Sequence, residues 1–239
     1  MAASTSRAGQ SAATRAWDSG PMSPTVRSGE VATLVSGLVG QLAAQLGQED
    51  APARLVVGLA GAPGTGKSTT AAALEARLAE AGLLAGLIPM DGFHMSNAVL
   101  DALGRRGRKG APDTFDVEGY LATLDRVRAG GDVLAPVYRR DLHEPVAAGT
   151  RVAGPGVVVT EGNYLVLGTP GWAGVRERID LLVMIEVAQD EVIRRLIARH
   201  EAFGRSRAEA AHWVRVVDVP NAELVAATAV RCDELWRVG

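Results

Sequence analysis

Leu55-Val56-Val57-Gly58-Leu59-Ala60-Gly61-Ala62-Pro63-Gly64-Thr65-Gly66-Lys67-Ser68-Thr69 decides the reading of this chain. Its first six residues are an apolar run of strand length, and the stretch from Ala71 to Ala81 that follows reads as a helix. Strand, glycine-rich loop and helix in that order are the setting in which the G-x-x-x-x-G-K-S pattern makes a phosphate cradle. Glycines let successive backbone N–H groups turn toward one anion, and the helix N-terminus adds the positive end of its dipole. Residues Gly61, Ala62, Pro63, Gly64, Thr65, Gly66, Lys67, Ser68 and Thr69 are therefore expected to hold a nucleoside triphosphate. Lys67 would reach the β- and γ-phosphates and the Ser68 hydroxyl would ligate Mg²⁺. The chain contains two lysines, Lys67 and Lys109, among 25 Lys and Arg residues. Where bulk charge suffices it uses Arg; inside the expected cradle it uses the compact point charge of Lys.

At 239 residues the chain can bury one sizeable core, so one domain is expected. A net charge of −2 provides no basic footprint for nucleic acid. Apolar runs such as Leu181 to Ile185 are too short to span a membrane. The single cysteine, Cys232, has no internal disulfide partner, which fits a reducing, cytoplasmic setting. Residues 1–28, rich in Ala, Ser, Thr and Arg without apolar periodicity, read as a disordered tail ahead of a domain spanning 29–239.

Apolar residues at helical spacing predict a helix from Glu30 to Leu46. Further strands are expected at Leu83–Met90, Val157–Thr160 and Ile179–Val187, with a last one at Asp233–Val238. Helices are expected at Met95–Leu103, Val117–Ala129, Asp190–Phe203 and Arg207–Val217, and a small hairpin from Asp132–Tyr138 and Thr150–Val152. Strands alternating with helices point to an α/β fold with a mostly parallel sheet flanked by helices.

Two carboxylates stand where such a sheet builds its sites, at C-terminal strand ends. Asp91 follows the second strand in Met90-Asp91-Gly92-Phe93-His94, and Glu161 follows the third in Glu161-Gly162-Asn163-Tyr164. Asp-Gly and Glu-Gly also suit ordinary turns. Paired beyond a phosphate loop, they suggest a base for an attacking hydroxyl at Asp91 and a Mg²⁺ ligand at Glu161. Transfer to a phosphate oxygen needs no base, so a carboxylate at 91 suits an alcohol acceptor.

From Arg54 onward the chain resembles the P-loop kinases that include uridine kinase, phosphoribulokinase and bacterial pantothenate kinase. The motifs Met90–His94, Lys109-Gly110-Ala111-Pro112-Asp113-Thr114-Phe115-Asp116 and Glu161–Tyr164 are most similar to a bacterial branch of uncharacterised nucleoside/nucleotide kinases or fructose-transport-linked sugar kinases. The resemblance implies a P-loop NTPase fold with a helical lid, ATP and Mg²⁺ as cofactors, and a small hydroxyl-bearing acceptor. It implies Asp91 as base, Ser68 and Glu161 beside the metal, and Lys109 through Asp116, including Phe115, as the acceptor loop. Tyr138 and His143 match a Pro-x-Tyr-x4-His segment near the acceptor, and Asn221 a Pro-Asn turn near the adenine. Arg194, Arg195 and Arg199 match lid arginines, and the family makes a homodimer an expectation. Arg139-Arg140 follows Tyr138 where uridine kinases carry Asp, and the Ser-His-Leu run of pantothenate kinases is missing.

The site expected is therefore Asp91, Lys67, Arg195 and Arg199 for catalysis, with Asp91, His94, Lys109, Phe115, Tyr138, His143 and Asn163 around the acceptor. Arg195 and Arg199 share one helix face, whereas Arg194 lies on a neighbouring one and can simply pair with Glu191. His94 and His143 serve equally well as hydrogen-bonded structural residues, and the tryptophans read as packing residues. A GTPase switch would need an Asn-Lys-x-Asp reader, which neither lysine provides. A nucleotide sensor on the same scaffold stays open, because fold alone does not fix function. Among acceptors a sugar or polyol is expected, ahead of a nucleoside and pantothenate.

Overall fold

The computed structural model describes residues 23–238. The elements are β1 (Thr25–Ser28), α1 (Val31–Leu46), β2 (Arg54–Ala60), α2 (Lys67–Glu80), β3 (Leu84–Pro89), α3 (Asn97–Ala102), α4 (Val117–Arg128), β4 (Val133–Arg139) and β5 (Glu144–Val152). They continue with β6 (Gly156–Gly162), α5 (Ala173–Arg176), β7 (Leu181–Glu186), α6 (Gln189–Ala202), α7 (Arg207–Trp213), α8 (Val219–Ala226) and β8 (Glu234–Arg237). Six strands form a wholly parallel sheet in the order β1-β8-β7-β2-β6-β3. Strands β4 and β5 pair antiparallel as a separate hairpin.

The central strands β2 and β6 are buried along their whole length. A parallel sheet covered on both faces requires this, and it explains why these strands read as continuous apolar runs. Alternate side chains feed two cores. Leu55, Val57 and Leu59 of β2, with Val157 and Val159 of β6, pack under α1 and α2. Val56 and Ala60, with Val158, face Tyr120, Leu124 and Val127 of α4. Only three buried residues, Val192, Leu196 and Val214, form the core between α6 and the segment after α7. So small a core gives the lid side a lower local stability than the sheet.

Two expectations change. The boundary at residue 29 falls too late: Thr25–Ser28 is an edge strand of the sheet, paired in register with Glu234–Arg237. Arg27 fastens it with two bonds to Glu234, Nε to Oε2 at 2.9 Å and the second guanidinium nitrogen to Oε1 at 3.1 Å. Four residues, TVRS, are too few to show a period, so pairing with the distant C-terminal strand decides their state. The rest of the expected tail lies outside the described residues. The helix expected over Arg207–Val217 instead ends at Trp213, passes through a π turn at Val214–Asp218 and resumes as α8. Pro220 is at the start of α8, where its missing N–H removes one helical bond and the wider turn absorbs the loss. Among the described residues no helix is long and apolar enough to cross a membrane.

Candidate active site

Parallel register brings the three motifs to one edge. Glu161 is level with Leu59 on β2 and with Pro89 on β3. The loop after β2 and the turn after β3 therefore open one step beyond Glu161, on either side of it. They line one cleft of about 1240 Å³, larger than a usual single-ligand pocket and wide enough for two ligands.

The loop between β2 and α2 turns through Gly64 and Gly66, with φ of 84° and 89°. Only glycine holds these left-handed angles without strain. The Ala62 carbonyl ties the turn together, accepting from the Thr65 backbone N–H (3.3 Å), the Thr65 hydroxyl (2.9 Å) and Lys67 Nζ (2.9 Å). Helix α2 starts at Gly66 with no side-chain cap and no acidic residue in its first turn. Its leading N–H groups thus remain available to an anion, and the cradle fits a phosphate chain.

Lys67 is buried, at 8% exposure. Burial pulls its pKa down, Arg199 adds to this, and the charges of Glu161 and Asp91 oppose it. Burial also pushes the Glu161 carboxyl up, helped by Asp91 and opposed by Lys67, Ser68 and Arg140. Each buried charge is costly alone, and each is the other's relief. Ser68 Oγ donates to Glu161 Oε1 at 3.4 Å. A hydroxyl beside a carboxylate is the hard-oxygen donor set that Mg²⁺ accepts while keeping water and phosphate ligands.

Asp91 lies in a tight 3-10 turn, Met90–Phe93. Gly92 permits the turn to touch β4: a Cβ there would overlap the Pro136 carbonyl oxygen. His94 Nδ1 donates to the Asp91 carbonyl at 2.8 Å, which a carbonyl can only accept. Its ring packs against Phe115 and Tyr138, with centroids at 4.0 and 4.9 Å. Burial lowers the His94 pKa, opposed by Asp91. The neutral ring then has Nε2 as an acceptor.

Asp91, His94, Lys109, Phe115, Tyr138, His143, Asn163, Arg195, Arg199 and Asn221 all line the cleft. Two of the expected acceptor residues differ in kind. Phe115 is 4% exposed and belongs to the core, edge-on to Tyr164 and Trp172. The Lys109 amine is occupied by Asn97 Oδ1 and the His143 carbonyl, both at 2.7 Å, and lies 5.1 Å from the Tyr138 ring centroid. It ties the acceptor loop to the hairpin, because the Glu144 carboxylate accepts the Asn97 N–H from the hairpin side. On α6, Arg195 bonds to Glu191 at 2.6 Å and leans to the Gly64 carbonyl at 3.5 Å. Arg194 pairs with Glu191 too and does not line the cleft.

Several participants were not singled out in the sequence. Tyr120 and Thr160 share a 2.5 Å hydroxyl contact, and Thr160 donates to the Ile88 carbonyl at 2.6 Å, locking α4, β6 and β3 beside Glu161. Tyr164 OH donates to the Gly110 carbonyl at 2.7 Å, tying the motif after β6 to the acceptor loop, and burial takes its pKa to about 12. Trp213, read as a packing residue, stands at the cleft with the Arg205 guanidinium 3.9 Å over its ring. No local pattern marks these residues; partners 40 or more positions apart define them.

The phosphoribulokinase/uridine kinase family model matches residues 56–218. An uncharacterized protein of Escherichia coli strain K12, YggC, is 38% identical over 174 residues, covering 72% of this chain and 73% of its own. A candidate uridine kinase of Schizosaccharomyces pombe is 32% identical, covering 63% and 68%. Among solved structures, a candidate fructose transport system kinase from Silicibacter sp. TM1040 superposes with a TM-score of 0.78 at 33% identity, over 87% of this chain and 99% of that one. With the cradle, the strand-end carboxylates and this breadth of match together, the chain belongs to the phosphoribulokinase/uridine kinase family of P-loop kinases.

Proposed function

We propose that this kinase transfers the γ-phosphoryl group of ATP to a hydroxyl of a small sugar or polyol. The observation that carries the reading is the common cleft of Lys67, Glu161 and Asp91, a phosphate-side cation and two carboxylates from three neighbouring strand ends. The loop amides and Lys67 hold the phosphate chain. Ser68 and Glu161 hold Mg²⁺, which supplies charge neutralisation on the β- and γ-oxygens. Asp91 accepts the proton of the attacking hydroxyl. Neutral His94, with Nδ1 bound to the Asp91 carbonyl, offers Nε2 to orient that hydroxyl. Arg195 and Arg199 meet charge that develops on the transferring group. Asn221, at the cleft beside Pro220, lies on the base side. The resemblance to the fructose transport system kinase supports a sugar acceptor, and nucleosides and pantothenate are the family's other acceptors to compare.

A coupled ADP-release screen across sugars, polyols, nucleosides and pantothenate tests the reading. Acceptor-dependent turnover is expected with a sugar or polyol. With that acceptor, Asp91→Asn should lose about 10²–10⁴-fold in kcat while ATP binding survives. ATP binding without response to any acceptor would point to a nucleotide sensor, and near-normal turnover by Asp91→Asn would remove the base assignment.

A further inference from the structure

The guanidiniums of this chain divide into tied and untied. Among the described residues, those of Arg126, Arg140, Arg199 and Arg207 make no hydrogen bond, ion pair or ring contact. Arg140 and Arg199 line the same cleft. Their neighbours in sequence and space are tied: Arg139 grips Asp141 at 2.9 and 2.7 Å, and Arg195 grips Glu191. The two come from different walls, Arg140 just beyond β4 on the hairpin and Arg199 on α6. Their charges act on each other: the cleft walls desolvate the Arg199 guanidinium and Arg140 opposes its charge, both lowering its pKa. Two cations that face one space without a carboxylate partner serve no folding purpose there. They suit an anion that enters it.

The triphosphate already meets the loop amides, Lys67 and Arg195. Arg140 belongs to the other wall, two residues beyond Tyr138, and its charge is felt by Tyr138 and by Glu161. That wall otherwise offers rings and neutral groups, while Asp91 and Glu161 make its floor negative. A neutral polyol would leave Arg140 idle; an acidic acceptor would be repelled by the floor unless a cation held its charged end. We propose that Arg140, with Arg199 across the cleft, binds a phosphate or carboxylate carried by the acceptor, so that the substrate is a sugar phosphate or a sugar acid. The inference rests on the alcohol-kinase reading above and narrows it. A planar guanidinium fork matches either group through two parallel N–H bonds.

The test fills the nucleotide side with a non-hydrolysable ATP analogue and Mg²⁺, then titrates a hexitol, a hexonate and a hexose phosphate calorimetrically. Wild type, Arg140→Lys and Arg140→Gln are compared. Arg140 is exposed and untied, so both variants should keep the wild-type melting temperature. At least one anionic compound should bind wild type about 10- to 100-fold tighter than the hexitol. Arg140→Gln should erase that preference, Arg140→Lys should keep part of it, and analogue affinity should not move. Equal affinity for neutral and anionic compounds, no binding by either anion, or a preference that survives Arg140→Gln overturns the inference. So does weakened analogue binding in Arg140→Gln, which would assign the group to the triphosphate. Turnover separates the two readings. Phosphorylation of neutral polyols unaffected by Arg140→Gln removes this inference and leaves the kinase reading intact. Arg140-dependent anion binding without phosphorylation of any compound does the reverse.

Discussion

Replacing Gly92 with alanine perturbs the placement of Asp91 without touching its carboxylate. The new Cβ would lie 2.6 Å from the Pro136 carbonyl carbon and closer still to its oxygen, against 3.4 Å for ordinary contact. Both partners are backbone, so neither can rotate away, and the turn and β4 must part by about 1 Å. Overpacking of this kind costs about 1–3 kcal/mol. For a chain of this length that is a fall of about 2–12 °C in melting temperature. The same displacement moves Asp91 relative to the acceptor, and a misplacement of about 1 Å costs about 10²-fold in rate. The nucleotide loop is on another strand, so affinity for an ATP analogue should hold. Thermal melts, analogue calorimetry and kcat/KM with the acceptor found in the screen read the three quantities separately. Unchanged kcat/KM beside a lowered melting temperature would refute the claim that this contact positions the carboxylate. Loss of analogue binding in a folded variant would refute the claimed independence of the two sides.

Lys109→Ala should raise KM for the acceptor and speed amide exchange over residues 140–146, at a cost of about 1–2 kcal/mol for two bonds from a charged donor at a partly open position; unchanged exchange there would remove the tether. Cys232, 5% exposed, has its thiol pushed up to about 12 from an ordinary 9.0 by burial. It should therefore react with a thiol reagent at pH 8 about 10³-fold slower than the unfolded chain does, and comparable rates would contradict the burial. Glu191 is held near 2 by Arg194 and Arg195. A depressed carboxyl stabilises above its unfolded value of 4.5, and its contribution is lost as pH falls toward 2. An NMR titration of the Glu191 carboxyl checks this, and a midpoint near 4.5 would show the pairs to be absent in solution.

Much of the scaffold was legible locally. The run from Leu55 to Thr69 carries its own period, glycines and lysine, so strand, loop and helix follow from neighbouring residues alone. The buried strands β6 and β7 were equally plain, because a parallel sheet covered on both faces demands continuous apolar runs. Asp91 and Glu161 could be singled out because a strand-end carboxylate beyond a phosphate loop has few other uses. Legibility failed where the determining partner is distant. Thr25–Ser28 is a strand only because Glu234–Arg237 lies beside it. The helix after Arg207 breaks into a π turn because tertiary packing continues it through Pro220.

By itself, the sequence determined the chemistry that one short stretch can encode: a phosphate cradle, its lysine, and two carboxylates placed to meet it. Only the tertiary structure decided which of the surrounding basic residues are free for a ligand. Lys109, rare enough in sequence to suggest a substrate contact, is spent on Asn97 and the His143 carbonyl. Arg140, one of many arginines in the sequence, stands untied in the cleft opposite Arg199. The physical reason is that a charged side chain's role depends on whether a partner lies within hydrogen-bond reach, and that partner is set by how distant strands and loops are brought together.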